Sequence, residues 1–122
     1  MFTFRHTLAI GSPDGAQFEE IEALVDIRPS YTWVPRPVLE RLGVRPGFQM
    51  EFKTADGRVI EREMAETQAR IDGRTRTILV VFGDEGAMPL IGAETLEGFS
   101  LAIDPVNERL IPVRGLLMTL LG

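Results

Sequence analysis

The sequence predicts an all-β fold with minor α content, organised as one domain. Short apolar segments alternate with polar residues at the period of two that is typical of strands. The turn-forming pairs Asp56-Gly57 and Asp72-Gly73 separate several of these segments. At 122 residues, the chain has room for one modest hydrophobic core. We therefore expect a single domain over residues 1–122.

The N-terminal third predicts a hairpin followed by a short helix. Apolar side chains fall on one face of residues 2–10, and residues 18–25 alternate in the same way. Residues 11–15 between them are dense in turn-forming types. A helix is expected over residues 35–43, because proline suits a first helical turn and glycine suits the position after the last one.

The rest of the chain predicts a second set of short strands and one more helix. Residues 48–52 and 59–71 alternate around Asp56-Gly57 and indicate another hairpin. The apolar run 77–82 predicts a strand buried on both faces. The remaining patterns predict strands at 89–92, 101–103 and 110–113 and a helical turn or two at 93–97. The total is then about eight strands and two helices.

Composition and charge argue against several classes of function. The net charge is −5 and no cluster of Lys or Arg offsets it, which argues against nucleic-acid and anionic membrane partners. The chain has no cysteine and only one histidine, His6, so we expect no metal site and no other cofactor. The longest apolar stretch, 116–121, is far too short to cross a bilayer, which takes about 20 residues. No signal-peptide pattern opens the sequence, and a cytoplasmic protein is expected.

Three segments carry a family resemblance. Ala23-Leu24-Val25-Asp26 is an apolar strand that delivers an aspartate, residues 52–58 form a predicted hairpin, and Pro89-Leu90-Ile91-Gly92 leads into a predicted helix. In this order they resemble the retropepsin-like aspartic proteases, the retroviral type and its small bacterial relatives, over about residues 3–113. The resemblance assigns the family's flap to Ala55, Asp56, Gly57 and Arg58.

The resemblance implies a retropepsin-like acid-protease half-barrel that homodimerisation closes. One aspartate from each subunit then meets its copy at the two-fold axis, and Asp26 matches that candidate catalytic position. Two carboxylates about 3 Å apart share one proton, so that one acts as base toward water and the other as acid toward the peptide carbonyl. The strand with Phe2 and Phe4 and the apolar tail 114–122 are the natural dimer elements. Packing of the tail onto its own core is the alternative.

The chain departs from the family motif directly after the aspartate. Where the family has Asp-Thr-Gly-Ala, this sequence has Asp26-Ile27-Arg28-Pro29. Ile27 lacks the threonine hydroxyl that cross-links the two catalytic loops. Arg28 puts a long cation where glycine lets the substrate backbone approach, and Pro29 has no N–H to donate. A nearby cation lowers a carboxylate pKa, so the pair of aspartates would lose its shared proton.

The residues leave three functions open. The protein is a catalytically impaired or inactive pseudoenzyme with a peptide-binding cleft, an interaction subunit without a cleft, or an active homodimeric aspartic endopeptidase that uses Asp26 from each subunit. The motif changes favour the first two, with Asp26 paired to Arg28 within one chain or across the dimer. Trp33 is expected in the core or an interface rather than in a pocket. His6 is expected at the surface.

Overall fold

A computed structural model of the chain describes residues 4–114. Its strand-rich architecture confirms the all-β fold with minor α content. The elements are β1 (Phe4–Gly11), β2 (Phe18–Val25), β3 (Thr32–Pro35), α1 (Arg36–Arg41), β4 (Phe48–Lys53), β5 (Val59–Ile71), β6 (Arg74–Gly83), β7 (Leu90–Ile91), α2 (Ala93–Gly98), β8 (Leu101–Asp104) and β9 (Arg109–Pro112). Neither helix within residues 4–114 has the length and apolar character needed to cross a membrane.

Seven strands form one sheet in the order β1-β2-β7-β3-β6-β5-β4. β1 also pairs with β5, through Ala9 with Arg70 and Ile10 with Ala69, so six of these strands close into a ring. β4 extends outward from β5. Two pairs in the ring are parallel, β2 with β7 and β3 with β6, and they bring the ends of β2 and β7 side by side. β8 and β9 form a separate antiparallel pair.

The hydrophobic core is one cluster of side chains from the ring and the two helices. Removing a large apolar side chain from water stabilises the fold by roughly 1.5–3 kcal/mol. The largest of the completely buried side chains belong to Phe99, Leu8, Ile10, Leu39, Met64 and Ile71. All of these except Met64 belong to the cluster, and because its members come from strands and helices far apart in sequence, the cluster joins the two halves of the chain.

β6 is longer and less buried than the sequence predicts. The run 77–82 was expected to be buried on both faces, but the strand begins at Arg74 and its first four residues are exposed. Only from Val80 onward are consecutive residues buried. The exposed half pairs with the end of β5 across the predicted turn, in which Asp72 has a φ of 51° and Gly73 a φ of 83°. Continuous burial therefore begins where β6 joins β3 in the ring, at the pairing of Thr32 with Val80.

The sequence missed one strand, β3. It has only four residues and no turn signal of its own, and it forms because it pairs with β6 on one side and β7 on the other. Its first residue is tied to the start of α2: the hydroxyl oxygens of Thr32 and Thr95 lie 2.6 Å apart in a buried hydrogen bond. The Thr32 oxygen also accepts a hydrogen bond from the backbone N–H of Gly92 at 3.1 Å.

Gly92 lies so close to the backbone of Tyr31 that no side chain fits. A Cβ on Gly92 would come within 2.4 Å of the Tyr31 carbonyl oxygen and 2.5 Å of its carbonyl carbon. Since these are backbone atoms, they cannot be moved aside by a change of rotamer. The glycine is needed here for close approach of two chain segments.

We expect Gly92→Ala to lower the free energy of unfolding by about 1–3 kcal/mol, because the added methyl group overpacks a backbone contact. Chemical denaturation followed by circular dichroism measures this change. Gly98→Ala is the matched control: Gly98 is exposed in α2 with no atom within 4 Å of the added Cβ. Alanine favours the helix there, so the control should keep or raise the stability. Equal stability of the two variants would contradict the close-approach argument.

Candidate functional site

Asp26 begins a loop, residues 26–31, that is held in place by backbone hydrogen bonds. The N–H of Asp26 donates to the carbonyl oxygen of Ile91 at 3.1 Å. The first two N–H groups of α2 donate to the carbonyl oxygens of Pro29 and Ser30, at 3.1 and 2.8 Å. α2 has no side-chain cap, so these carbonyls satisfy N–H groups that would otherwise lack a partner. The position of the loop therefore depends on β7 and α2.

The carboxylate of Asp26 is held by Arg28, two residues further along the same chain. Nε of Arg28 donates to Oδ1 at 3.0 Å and to Oδ2 at 3.1 Å, and Nη2 donates to Oδ2 at 2.6 Å. The backbone N–H of Arg28 also donates to Oδ1, at 3.0 Å. Asp26 is 5% exposed, whereas the Arg28 side chain is 62% exposed. The sequence left open whether this pairing lies within one chain or across a dimer; the structure has it within one chain.

Arg28 controls the protonation of Asp26. The hydrogen bonds from its side chain lower the pKa of Asp26, and its backbone N–H and its positive charge act in the same direction. Burial of the carboxyl opposes them, but the net effect is a pKa below the ordinary value of 3.8. A general acid has to hold its proton near the working pH. Asp26 in this setting is an ionised, paired carboxylate.

Ile27 lies on the outer side of the loop, where its side chain is 57% exposed. It lines an apolar groove of about 470 Å³ together with residues of α2 and β8, among them Leu96, Leu101 and Ile103. Exposed apolar surface of this kind is typical of an interface between protein chains. Of the predicted dimer elements, Phe4 is buried in the core of its own chain, whereas Phe2 and residues 115–122 lie outside the described residues.

A cleft of about 330 Å³ lies between the Asp26 loop and the β4–β5 hairpin. Its lining residues are Arg28, Pro29, Ser30 and Trp33 on one side and Phe52, Lys53, Thr54 and Ile60 on the other. Asp26 does not line the cleft, whereas the arginine that pairs with it does. Of the two places expected for Trp33, a core or an interface, the structure does not support the core. Its side chain is half-buried and forms part of the cleft wall.

Aromatic contacts fix the hairpin against the opposite wall of the cleft. The ring centroid of Phe52 lies 5.3 Å from that of Trp33 and 6.3 Å from that of Tyr31, the latter edge-to-face at 83°. Such pairs contribute roughly 0.5–1.5 kcal/mol beyond the burial of their surface. The guanidinium of Arg62 lies 6.0 Å from the Trp33 ring. The base of the hairpin is thus held by side-chain packing.

The predicted flap residues form the turn of this hairpin and do not line the cleft. They are Ala55, Asp56, Gly57 and Arg58, with Gly57 at a φ of 88°. Arg58 donates from Nε to Oδ2 of Asp56 at 3.0 Å, an arrangement that repeats the spacing of Arg28 and Asp26. The cleft residues of the hairpin lie before and after the turn. Sequence reasoning missed them, although they belong to the alternating strands of the predicted flap.

The sequence analysis also expected His6 at the surface and no metal site. Nε2 of His6 lies 3.1 Å from Oδ1 of Asp72, and neither residue lines the cleft. Within residues 4–114, no three His, Cys, Asp or Glu side chains come together in a group that could hold a metal ion.

Comparison with known proteins gives a structural likeness without a sequence match. The chain is similar to the solution structure of the Simian Foamy Virus (mac) protease, with a TM-score of 0.56 and 20% identity, over 77% of this chain and 92% of that chain. No family model matches the sequence, and no curated protein matches it. At this identity the likeness shows the fold, which is the all-β, retropepsin-like fold of a retroviral aspartic protease.

We expect the pKa of Asp26 to lie below 3.8 in the unmodified chain and to rise in Arg28→Gln, because the arginine hydrogen bonds and charge that favour the ionised form are lost. A carboxyl-carbon NMR titration of Asp26 measures this change. Arg58→Gln is the matched control, since it removes the same side-chain type from the same spacing after Asp56. A similar Asp26 pKa in both variants would refute the role of Arg28.

The same pairing predicts a pH dependence of stability. The folded-state pKa of Asp26 is lowered from its unfolded value of about 3.9, so the pairing adds stability that is complete above that pH. This contribution is lost as the pH falls through the lower, folded-state pKa. Arg28→Gln should reduce the acid-induced loss of unfolding free energy, as measured by denaturation between about pH 2 and 5. Asp26→Asn should reduce it as well, whereas a loss as large as that of the unmodified chain would contradict the linkage.

Proposed function

We propose that this chain is a retropepsin-fold subunit without peptidase activity that binds a peptide segment in the cleft beside the Asp26 loop. The proposal rests on one observation: Arg28 donates hydrogen bonds to both carboxylate oxygens of Asp26. The proposal has three parts, which are the absence of cleavage, the binding of a peptide and the pairing of two chains.

The lack of cleavage follows from protonation and from hydrogen-bonding capacity. An aspartic-protease pair needs one proton shared between two carboxylates. Each Asp26 brings its own guanidinium, so both carboxylates of a pair are stabilised in the ionised form. An ionised carboxylate accepts about four hydrogen bonds, and three N–H groups of Arg28, with that of Nε shared between both oxygens, already donate to it. Little capacity is left to orient an attacking water.

Peptide binding is supported by the walls of the cleft. Trp33, Phe52 and Ile60 offer apolar surface, which is what side chains of a bound segment require. β4 supplies Phe52 and Lys53 and is the last strand in the sheet order, with no partner strand on its outer side among the described residues. Extended peptides commonly add to such an edge through backbone hydrogen bonds.

Pairing of two chains is supported by the groove beside Ile27. In the retropepsin-like arrangement the residue after the aspartate lies at the subunit interface, and here that residue is an exposed isoleucine next to further apolar side chains. Covering this surface with a second copy removes it from water. A homodimer is therefore part of the proposal.

We expect the unmodified chain to leave an unstructured protein substrate intact between about pH 3 and 7. The triple variant Ile27→Thr, Arg28→Gly, Pro29→Ala restores the family's motif around an unchanged Asp26. It should gain cleavage that pepstatin-like inhibitors block. Electrophoresis of the substrate after incubation measures both results.

The control is Asp26→Asn in the triple variant, which should lower its activity by about 10²–10⁴-fold, the range that a general acid or base contributes. Cleavage by the unmodified chain that Asp26→Asn abolishes would show an active endopeptidase and refute the proposal. No gain in the triple variant would show that the loss of activity also depends on residues beyond this motif.

We expect sedimentation at micromolar concentration to give about twice the chain mass of 13.6 kDa. Ile27→Glu should weaken this dimer, because it puts a charge into a buried apolar contact. Val106→Glu is the matched control, since Val106 is 87% exposed in the turn between β8 and β9. A monomeric unmodified chain, or equal effects of the two substitutions, would contradict pairing through this groove.

A further inference from the structure

We infer that the cleft selects a peptide segment in which an acidic side chain neighbours an apolar one. This inference rests on the proposed peptide-binding function and adds the chemistry of the ligand. It starts from the distribution of charge: the chain carries 18 acidic against 13 basic residues, yet the cleft is lined by two cations, Arg28 and Lys53, and by no acid.

Arg28 lines the cleft, and its pairing with Asp26 uses only one edge of the guanidinium. Its Nε and Nη2 are used by Asp26, but Nη1 donates to no residue among those described, and the side chain is 62% exposed. A guanidinium has five N–H donors in a rigid, planar fork. The edge formed by Nη1 and the outer N–H of Nη2 can therefore bind a second carboxylate while the first edge holds Asp26.

Lys53 supplies the charge that makes the cleft positive. The charges of Asp26 and Arg28 cancel (−1 + 1 = 0), so Arg28 by itself adds hydrogen-bond donors without net charge. Lys53 is exposed at the end of β4, it is the only lysine in the sequence, and no acidic group within residues 4–114 forms an ion pair with it. The local balance is thus +1, which matches one carboxylate better than a phosphoryl group with nearly two negative charges.

The apolar walls set the second requirement. Trp33, Phe52 and Ile60 line the same cleft as the two cations. A ligand that uses both kinds of surface needs an aromatic or aliphatic side chain next to its carboxylate. A carboxylate without such a neighbour would form only exposed ion pairs, which contribute little.

The test uses three capped peptides that differ at one position: acetyl-Ala-Leu-Glu-Phe-Val-Ala-amide and the forms with Gln or Lys in place of Glu. Trp33 is the only tryptophan of the chain and lines the cleft, so its fluorescence reports binding. We expect the Glu peptide to bind about three- to tenfold more tightly than the Gln peptide, and the Lys peptide to bind least tightly. The Glu advantage should shrink between ~0.05 and ~0.5 M salt, because exposed charges are screened.

Lys53→Gln should bring the affinities of the Glu and Gln peptides within about twofold of each other. Arg45→Gln is the matched control, since it removes one positive charge from an exposed residue outside the cleft, and it should leave the preference unchanged. Equal losses in both variants would mean that overall charge, not the cleft, sets the preference, and would overturn the inference.

The outcomes separate this inference from the function on which it rests. Equal binding of the Glu and Gln peptides to the unmodified chain would overturn the acidic preference and leave peptide binding standing. No saturable change in Trp33 fluorescence with any of the three peptides up to about 1 mM would overturn peptide binding as well.

Discussion

The backbone hydrogen bonds between the Asp26 loop and the start of α2 determine the geometry around the cleft. They tie the carbonyls of Pro29 and Ser30 to the helix, while the close approach of Gly92 to Tyr31 fixes the end of the loop. A loop held at both ends presents its side chains in set directions. Arg28 can therefore reach back to the aspartate and still line the cleft, and the residue between them is left on the outer face.

Much of the fold is predictable because its signals are local. Alternation identifies the long strands, and a pair such as Asp72-Gly73 adopts the left-handed conformation that a tight hairpin needs. What the sequence lacks is any local signal for pairings formed at a distance. β3 exists because β6 and β7 lie beside it, and the ring closes through two residue pairs between β1 and β5. Neither β3 nor the closure of the ring can be predicted from a short window of sequence.

The residues of the site were likewise predictable only where the signal is local in sequence. Residue types alone indicate that an arginine two positions after an aspartate will pair with it, but whether it pairs within the chain depends on the path of the loop. The sequence did not decide the position of Trp33, because an apolar aromatic side chain fits a core, an interface and a cleft equally well by pattern. Its actual place depends on contact with Phe52, which comes from a strand that begins 13 residues after β3 ends. That contact joins the two walls of the cleft.

The short separation of Asp26 and Arg28 has a consequence for how the protein behaves as its amount changes. A site built from two subunits exists only where subunits meet, so its chemistry rises and falls with concentration. A carboxylate that is paired within its own loop keeps its partner at every dilution. Under the function proposed above, copies of the chain associate or exchange partners without assembly creating a reactive pair of acids.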